Sequence, residues 1–282
     1  MAKVLYLVTE GEYFLSHRLK LAQAVKKDGH DVIVLTVPGR AHDEILSQGF
    51  RLRSLRKMTR SGLNPIAQVQ SIYEIIRIYR KEKPDLVHHV ALKPVLYGTI
   101  AARVNGIPHI INAFTGLGFL FISQRFFTRI LRAGIVFCMR YIFRSSAVKT
   151  IVQNTDDFNF FCKFLSKKSV FLIRGSGVDT QKFKPSKKNR MGSPKIVLTA
   201  RMLWDKGIGE AIDAAKILRA KGFTFSLILA GKIDPHNPNH IKEQQVKKWV
   251  AQKLCIWKGH IKDVSSLLQK SDIVILPSYR EG

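Results

Sequence analysis

Residues 195–212 read KIVLTARMLWDKGIGEAI, and the segment changes character in its middle. Its first part, KIVLTARM, is the short apolar run of a buried strand, and from about residue 208 to 220 the pattern turns helical. The loop between them holds Arg201, Lys206, Gly207 and Gly209. A strand feeding a helix through a short loop is the repeating unit of a parallel sheet covered by helices. In such sheets ligands bind beyond the carboxyl ends of the strands, where exposed helix N-terminal amides favour anions. Two cations on this loop suit a diphosphate. Spacing alone leaves an ordinary strand-to-helix turn with solvated charges equally open.

The alternation extends both ways. Downstream come FSLILAG, a helix across residues 240–252, CIWKGH, a short helix, and DIVILPS. Upstream, strands are expected at KVLYLVTE, DVIVLTV, RLRSL, DLVHHVA, HIINAF, KTIVQN and VFLIRG, with helices at about residues 16–28, 41–48, 65–83, 93–104, 125–144 and 155–166. Between the halves, VDTQKFKPSKKNRMGSPK is basic, poor in apolar residues and punctuated by Pro185, Gly192 and Pro194, which marks a linker. The expectation is an α/β chain of two Rossmann-like domains, residues 1–185 and 195–282, joined by a linker at 186–194. The last strand runs into residues 278–282 with no following helix, so the second domain is expected to be incomplete.

Composition narrows the class. With 282 residues, 46% of them hydrophobic, the chain can bury one large core or two ordinary ones, which excludes a disordered protein. Cys138, Cys162 and Cys255 are too few and too far apart for a disulfide framework or a zinc site, and suit a reducing, cytoplasmic compartment. The N-terminal MAKVLYLVTEGEYFL is interrupted by Glu10 and Glu12 and suits a strand better than a signal peptide. No window approaches the roughly 20 apolar residues of a membrane span. The formal charge of +27 attracts nucleic acid, anionic lipid or a phosphorylated substrate without choosing among them.

Three further segments place polar residues at strand ends. In LILAGKIDPHNPNHI, Gly231 allows close approach of a ligand to the backbone, while Asp234, Asn237 and Asn239 read equally well as turn residues. WKGHIKDV sets Gly259 and His260 at a strand end, and ILPSYREG sets Glu281 beyond another, where a carboxylate can accept hydrogen bonds from sugar hydroxyls. The GxGxxG and P-loop patterns are absent.

TARMLWDKG, LAGKIDPHNP, WKGHIKDV and ILPSYREG, in that order and spacing, resemble the donor-binding half of family 4 retaining glycosyltransferases. FLSHRLKLAQAVKKDGHDVIVLT, DLVHHVALKPVLYG, NAFTGLGF and SGVDTQKFKP resemble members that build bacterial surface polysaccharides on a polyprenyl-diphosphate carrier. The resemblance implies the GT-B fold, two Rossmann-like domains facing across a cleft, and transfer of a sugar from a nucleotide-diphosphate donor, a UDP-sugar by analogy, to a lipid-linked glycan. It implies no metal and no cofactor. Arg201 and Lys206 match the basic pair that holds the donor diphosphate and offsets charge on the leaving nucleotide. Glu281 matches the first glutamate of the E-x7-E signature, near the transferred sugar, and Gly282 begins the loop that brings amides to it. His260 and Ile261 match positions that contact the base region, and Gly11 falls in the loop that approaches the donor phosphates from the other domain. His88 and His89, at a strand end, are candidates to touch acceptor or donor, or to be structural.

The departures set further expectations. The second glutamate of the signature has no counterpart, so ribose binding is expected to be impaired; the expectation is a fragment or disrupted copy of a longer enzyme, or a partner that supplies the remainder, with a catalytically silent remnant as the alternative. Gly11 is followed by Glu12 where many relatives pair glycines, and Phe114 and Thr115 stand where some carry a histidine. No general base is identifiable, which suits the retaining front-face route in which the departing phosphate assists the acceptor hydroxyl.

Arg125, Arg129, Arg132, Arg140 and Arg144 fall within about a third of a turn at about 100° per residue, with apolar residues filling the rest. Such a helix suits an anionic membrane surface, with RLRSLRKMTRSG adding cations, or a core helix with a solvated arginine stripe. A lipid-linked acceptor favours the former, peripheral on the cytoplasmic face of the inner membrane. The competing nucleic-acid-binding class lacks an RNP-like segment, zinc spacing or helix-turn-helix, so no nucleic-acid partner is expected.

Overall fold

The computed structural model describes residues 1–58, 64–116, 126–185, 192–235 and 237–279, with the side chains of 126–128 left aside. The chain divides into two compact units, Met1–Gly177 and the part from Val178 onward. The division falls earlier than the linker expected at 186–194. Residues between the two points belong with the second unit, where Ser265 Oγ donates to the Lys182 carbonyl at 2.6 Å and Gln269 Nε2 to that of Lys184 at 3.2 Å.

The first unit is built on a parallel sheet of β1 (Lys3–Leu7), β2 (Asp31–Thr36), β3 (Arg51–Ser54), β4 (Leu86–Val90), β5 (His109–Ala113), β6 (Val148–Val152) and β7 (Val170–Leu172), in the order β3-β2-β1-β4-β5-β6-β7. Its central strands read as near-continuous apolar runs because both faces are covered. Leu5 and Leu7 point into one core with Ile75 and Tyr79 of α4 (Pro65–Glu82), Val95 of α5 (Leu92–Val104), Met139 of α6 (Phe126–Ile142) and Phe161 of α7 (Thr155–Cys162). Val4, Tyr6 and Val8 point into the other, with Phe14 of α1 (Gly11–His17), Ala22 of α2 (Leu19–Lys27) and Ile45 of α3 (His42–Ser47). Local chemistry sets the helix starts: Asn64 accepts from the amides of Ile66 and Ala67 ahead of Pro65, and Asn154 accepts from that of Asp157.

One helix departs from expectation. The helix expected at 16–28 is α2, and a further helix, α1, precedes it, the two separated at Arg18 with φ −125° and ψ −13°. Helix forms from Gly11 onward because it carries Phe14 into the core at full burial.

The second unit has a parallel sheet of β8 (Lys195–Thr199), β9 (Ser226–Ala230), β10 (Ile256–Trp257) and β11 (Ile273–Val274), ordered β10-β9-β8-β11. Its helices are α8 (Ile208–Ala220), α9 (Glu243–Ala251) and α10 (Val264–Gln269). Leu198, Leu229, Ile212 and Trp249 belong to one apolar cluster, and Val197, Ile228 and Leu267 to another. Parallel pairing throughout puts the loops that follow these strands at one edge of the sheet.

Candidate functional site

That edge holds the loops expected to carry chemistry. β8 lies between β9 and β11, so the chain leaves β8 in one direction and returns on its other side. The strand order reverses there, which is where open α/β sheets bind ligands. The loop from Ala200 to Gly207 includes a 3-10 turn at Trp204–Lys206 and enters α8 through Gly207 at φ +68°. The segment after β11 is pinned to it. Tyr279 N–H donates to the Asp205 carbonyl at 3.0 Å, and Ser278 Oγ donates to the same oxygen at 3.2 Å. Tyr279 Oη reaches Glu210 at 2.5 Å.

The loop after β9 is strapped to the same segment from the other side. Ile241 N–H donates to the Met202 carbonyl at 2.9 Å, Trp204 N–H to that of Asn239 at 3.1 Å, and the Asn239 side-chain amide to Asp205. Arg201 Nη1 pairs with Asp234 Oδ2 at 3.0 Å, and Asp234 is nearly buried while the guanidinium stays open to solvent. Arg201 and Lys206 thus share one braced loop beside the reversal point. Asp234, which the sequence offered only as a turn residue, is the carboxylate that aims Arg201.

Gly231 lets two loops of the second unit meet. A Cβ there would lie 1.7 Å from the Ala200 carbonyl oxygen, while its own N–H donates to the Gly259 carbonyl at 2.7 Å. The backbone of the neighbouring loop fills the side on which a Cβ would stand. His260 is exposed, and Ile261 packs against the smaller apolar cluster. Glu281 and Gly282 lie outside the described residues.

In the first unit, Gly11 is buried at the start of α1, where a Cβ would come 2.8 Å from that of Ala41. Close helix packing therefore accounts for this glycine. His88 and His89, candidates to touch acceptor or donor or to be structural, are both buried in β4. His89 Nε2 meets Tyr79 Oη at 2.9 Å and its Nδ1 meets Asn112 Oδ1 at 2.8 Å, and Asn112 is held in turn by Thr99. This network gives His89 a structural role and leaves it no accessible surface. His88 stacks on Tyr6 at 5.1 Å, and its Nε2 is buried with no partner. Burial, then the nearby Arg18 charge and His89, push His88 down to about 3, and burial pushes His89 down to about 4. Both rings are neutral at ordinary pH.

α6 packs Met139 and Ile142 on the core and presents Arg129 and Arg140 outward, together with Ile130 at 56%, Phe137 at 77% and Tyr141 at 72% exposure. Arg129, Arg132, Val136, Phe137, Arg140 and Phe160 line a groove of about 750 Å³ on this face. Arg125 lies outside the described residues. No helix of the described residues is long and apolar enough to cross a membrane.

A family model described as glycosyl transferase 4-like matches residues 3–155, and one described as glycosyl transferases group 1 matches residues 179–282. The chain is 25% identical to the N,N'-diacetylbacillosaminyl-diphospho-undecaprenol alpha-1,3-N-acetylgalactosaminyltransferase of Campylobacter jejuni, over 95% of this chain and 74% of that relative. It is 24% identical to the capsular polysaccharide biosynthesis glycosyltransferase CapM of Staphylococcus aureus, over 99% of this chain and 74% of CapM. The crystal structure of Anabaena HepE in complex with UDP and glucose shares the fold, with a TM-score of 0.72 at 15% identity over 99% of this chain and 74% of that one. Two Rossmann-like units, each matched by a glycosyltransferase model, lead to one conclusion: the chain belongs to the glycosyl transferase 4-like family, has the GT-B class of fold, and is a glycosyltransferase.

Proposed function

We propose that the chain transfers a sugar, with retention of configuration, from a UDP-sugar to a glycan carried on a polyprenyl diphosphate, in the synthesis of a bacterial surface polysaccharide. The observation that carries this reading is the braced loop with Arg201 and Lys206 beside the strand-order reversal. Fixed cations there bind the donor diphosphate and offset the charge that grows as the nucleotide leaves. The UDP seen with HepE supports the nucleotide. The diphospho-undecaprenol named for the Campylobacter relative supports the acceptor class. In this reading Glu281, Gly282, His260 and Ile261 contribute to the donor site, the departing diphosphate assists the acceptor hydroxyl, and the exposed face of α6 meets the cytoplasmic leaflet where the acceptor resides.

The test is turnover of labelled UDP-sugars on undecaprenyl-diphosphate glycans, with binding of uridine and guanosine diphosphosugars measured in parallel. Saturable UDP-sugar binding lost in Arg201→Ala and Lys206→Ala, and a product with the donor's anomeric configuration, are the expected results. A folded chain that binds no diphosphosugar would overturn the reading in favour of a catalytically silent form.

A further inference from the structure

The N-terminal unit buries a cation that no carboxylate among the described residues answers. Arg18, between α1 and α2, is only 8% exposed. Its Nη1 donates to the His17 carbonyl at 3.1 Å and to the Ser176 hydroxyl at 3.0 Å, while its Nε–H is buried and unpartnered. The described groups that favour its charge are the hydroxyls of Tyr13 and Tyr6, which are neutral at ordinary pH. A buried charge is normally paired, and a guanidinium cannot shed its proton to escape the cost.

A second unanswered donor lies within reach of its field. His88 is 4% exposed, and its Nε2 is buried with no partner. The ring is neutral, so Nε2 can carry its single proton and present it as a donor. Tyr13, stacked on His17 at 4.1 Å, shares hydrogen-bonding company with Thr115 and Ser176. Thr115 and Ser176 follow β5 and β7, which places this cluster toward the carboxyl edge of the sheet.

We propose that Arg18, His88 and Tyr13 form an anion subsite of the N-terminal unit that takes a diphosphate group. One fixed positive charge beside neutral N–H and O–H donors, with no carboxylate among the described residues set against it, is a setting for a phosphate oxygen, and the guanidinium fork matches its geometry. An occupant gives Arg18 its counter-charge and His88 Nε2 its acceptor. The choice of a diphosphate rests on the function proposed above, in which both the sugar donor and the lipid-linked acceptor carry one.

The test is calorimetric titration of the full chain carrying Arg201→Ala and Lys206→Ala, with inorganic pyrophosphate, UDP and geranyl diphosphate as separate titrants. Pyrophosphate binding is expected, weakened about tenfold or more by Arg18→Gln and severalfold by His88→Phe, which keeps a ring stacked on Tyr6. Weakening that pyrophosphate shares with UDP but not with geranyl diphosphate assigns the subsite to the donor, and weakening shared with geranyl diphosphate but not with UDP assigns it to the acceptor. Should Arg18→Gln fail to fold, the ring proton–nitrogen signals of His88 in the unsubstituted chain provide the readout, and they are expected to shift saturably with pyrophosphate. An unmoved His88 signal, or unchanged affinity in folded Arg18→Gln, overturns the proposal. UDP binding that depends on Arg201 but not on Arg18 removes this inference and leaves the proposed function standing; a folded chain that binds no diphosphate removes both.

Discussion

Arg201 and Asp234 form an ion pair of 3.0 Å between the loop leaving β8 and the loop leaving β9, with the Asp234 side chain 6% exposed and the Arg201 side chain 44%. A nearly buried carboxylate depends on its cation far more than a solvated guanidinium depends on its anion. Arg201 therefore has two duties, and its removal should show both. Arg201→Ala is expected to lose about 1–3 kcal/mol of stability in urea denaturation as well as donor binding. Adding Asp234→Asn to Arg201→Ala should restore part of the stability and none of the binding. Stability unchanged in the single variant would make the pair a bystander.

Two glycines of the second unit sit where backbone meets backbone. A Cβ on Gly231 would lie 1.7 Å from the Ala200 carbonyl oxygen, and one on Gly207 would lie 2.0 Å from that of Pro277. Gly207 also holds φ +68°, which costs any other residue further strain. Gly231→Ala and Gly207→Ala are each expected to destabilise the chain by about 1–3 kcal/mol or more, whereas Gly222→Ala, with open space around it, should cost less despite its φ of +85°. Comparing their thermal midpoints checks the order.

Stability should fall in mild acid because of the histidines of β4. Unfolded, each ring titrates near its usual value of about 6.5. Folded, His88 is held to about 3 and His89 to about 4. Below pH of about 6.5 the unfolded chain thus binds protons that the folded chain refuses, and each ring removes up to about 1.4 kcal/mol per pH unit until its folded value is reached. Urea midpoints at about pH 7, 6, 5 and 4 should show this decline, with a shallower slope in His88→Phe. Parallel profiles for the two chains would refute the assignment to His88.

The outer face of α6 should bind anionic membranes. Arg129, Arg132 and Arg140 supply charge beside the exposed Phe137 and Tyr141, the combination that settles a helix at a headgroup interface. Sedimentation with vesicles rich in anionic phospholipid should exceed that with zwitterionic ones. Arg129→Glu with Arg132→Glu should abolish the difference, and Phe137→Ser should weaken binding at any charge. Equal sedimentation with both vesicle types would leave the arginine stripe as a solvated surface.

The alternation of apolar strands with helical segments by itself determined the fold class, because strands buried on both faces leave a continuous apolar signature. KIVLTARM to β8 and DVIVLTV to β2 show how directly that signature converts. The same reading placed Arg201 and Lys206 on one strand-end loop, since loop membership follows from chain order alone. It could not see that Asp234 would reach across from the next loop to grip Arg201, nor that Gly231 would yield its free side to the Ala200 carbonyl. Both relationships join residues some 30 positions apart, and only sheet pairing sets their distance. The break at Arg18 is of the same kind: its sequence is helical on either side, and tertiary packing of Phe14 and the reach to Ser176 decide where the helix stops. Burial settled the histidines last, for no local pattern says that a polar ring within an apolar strand will be sealed in a network with Tyr79 and Asn112, as His89 is, or left with an unanswered nitrogen, as His88 is.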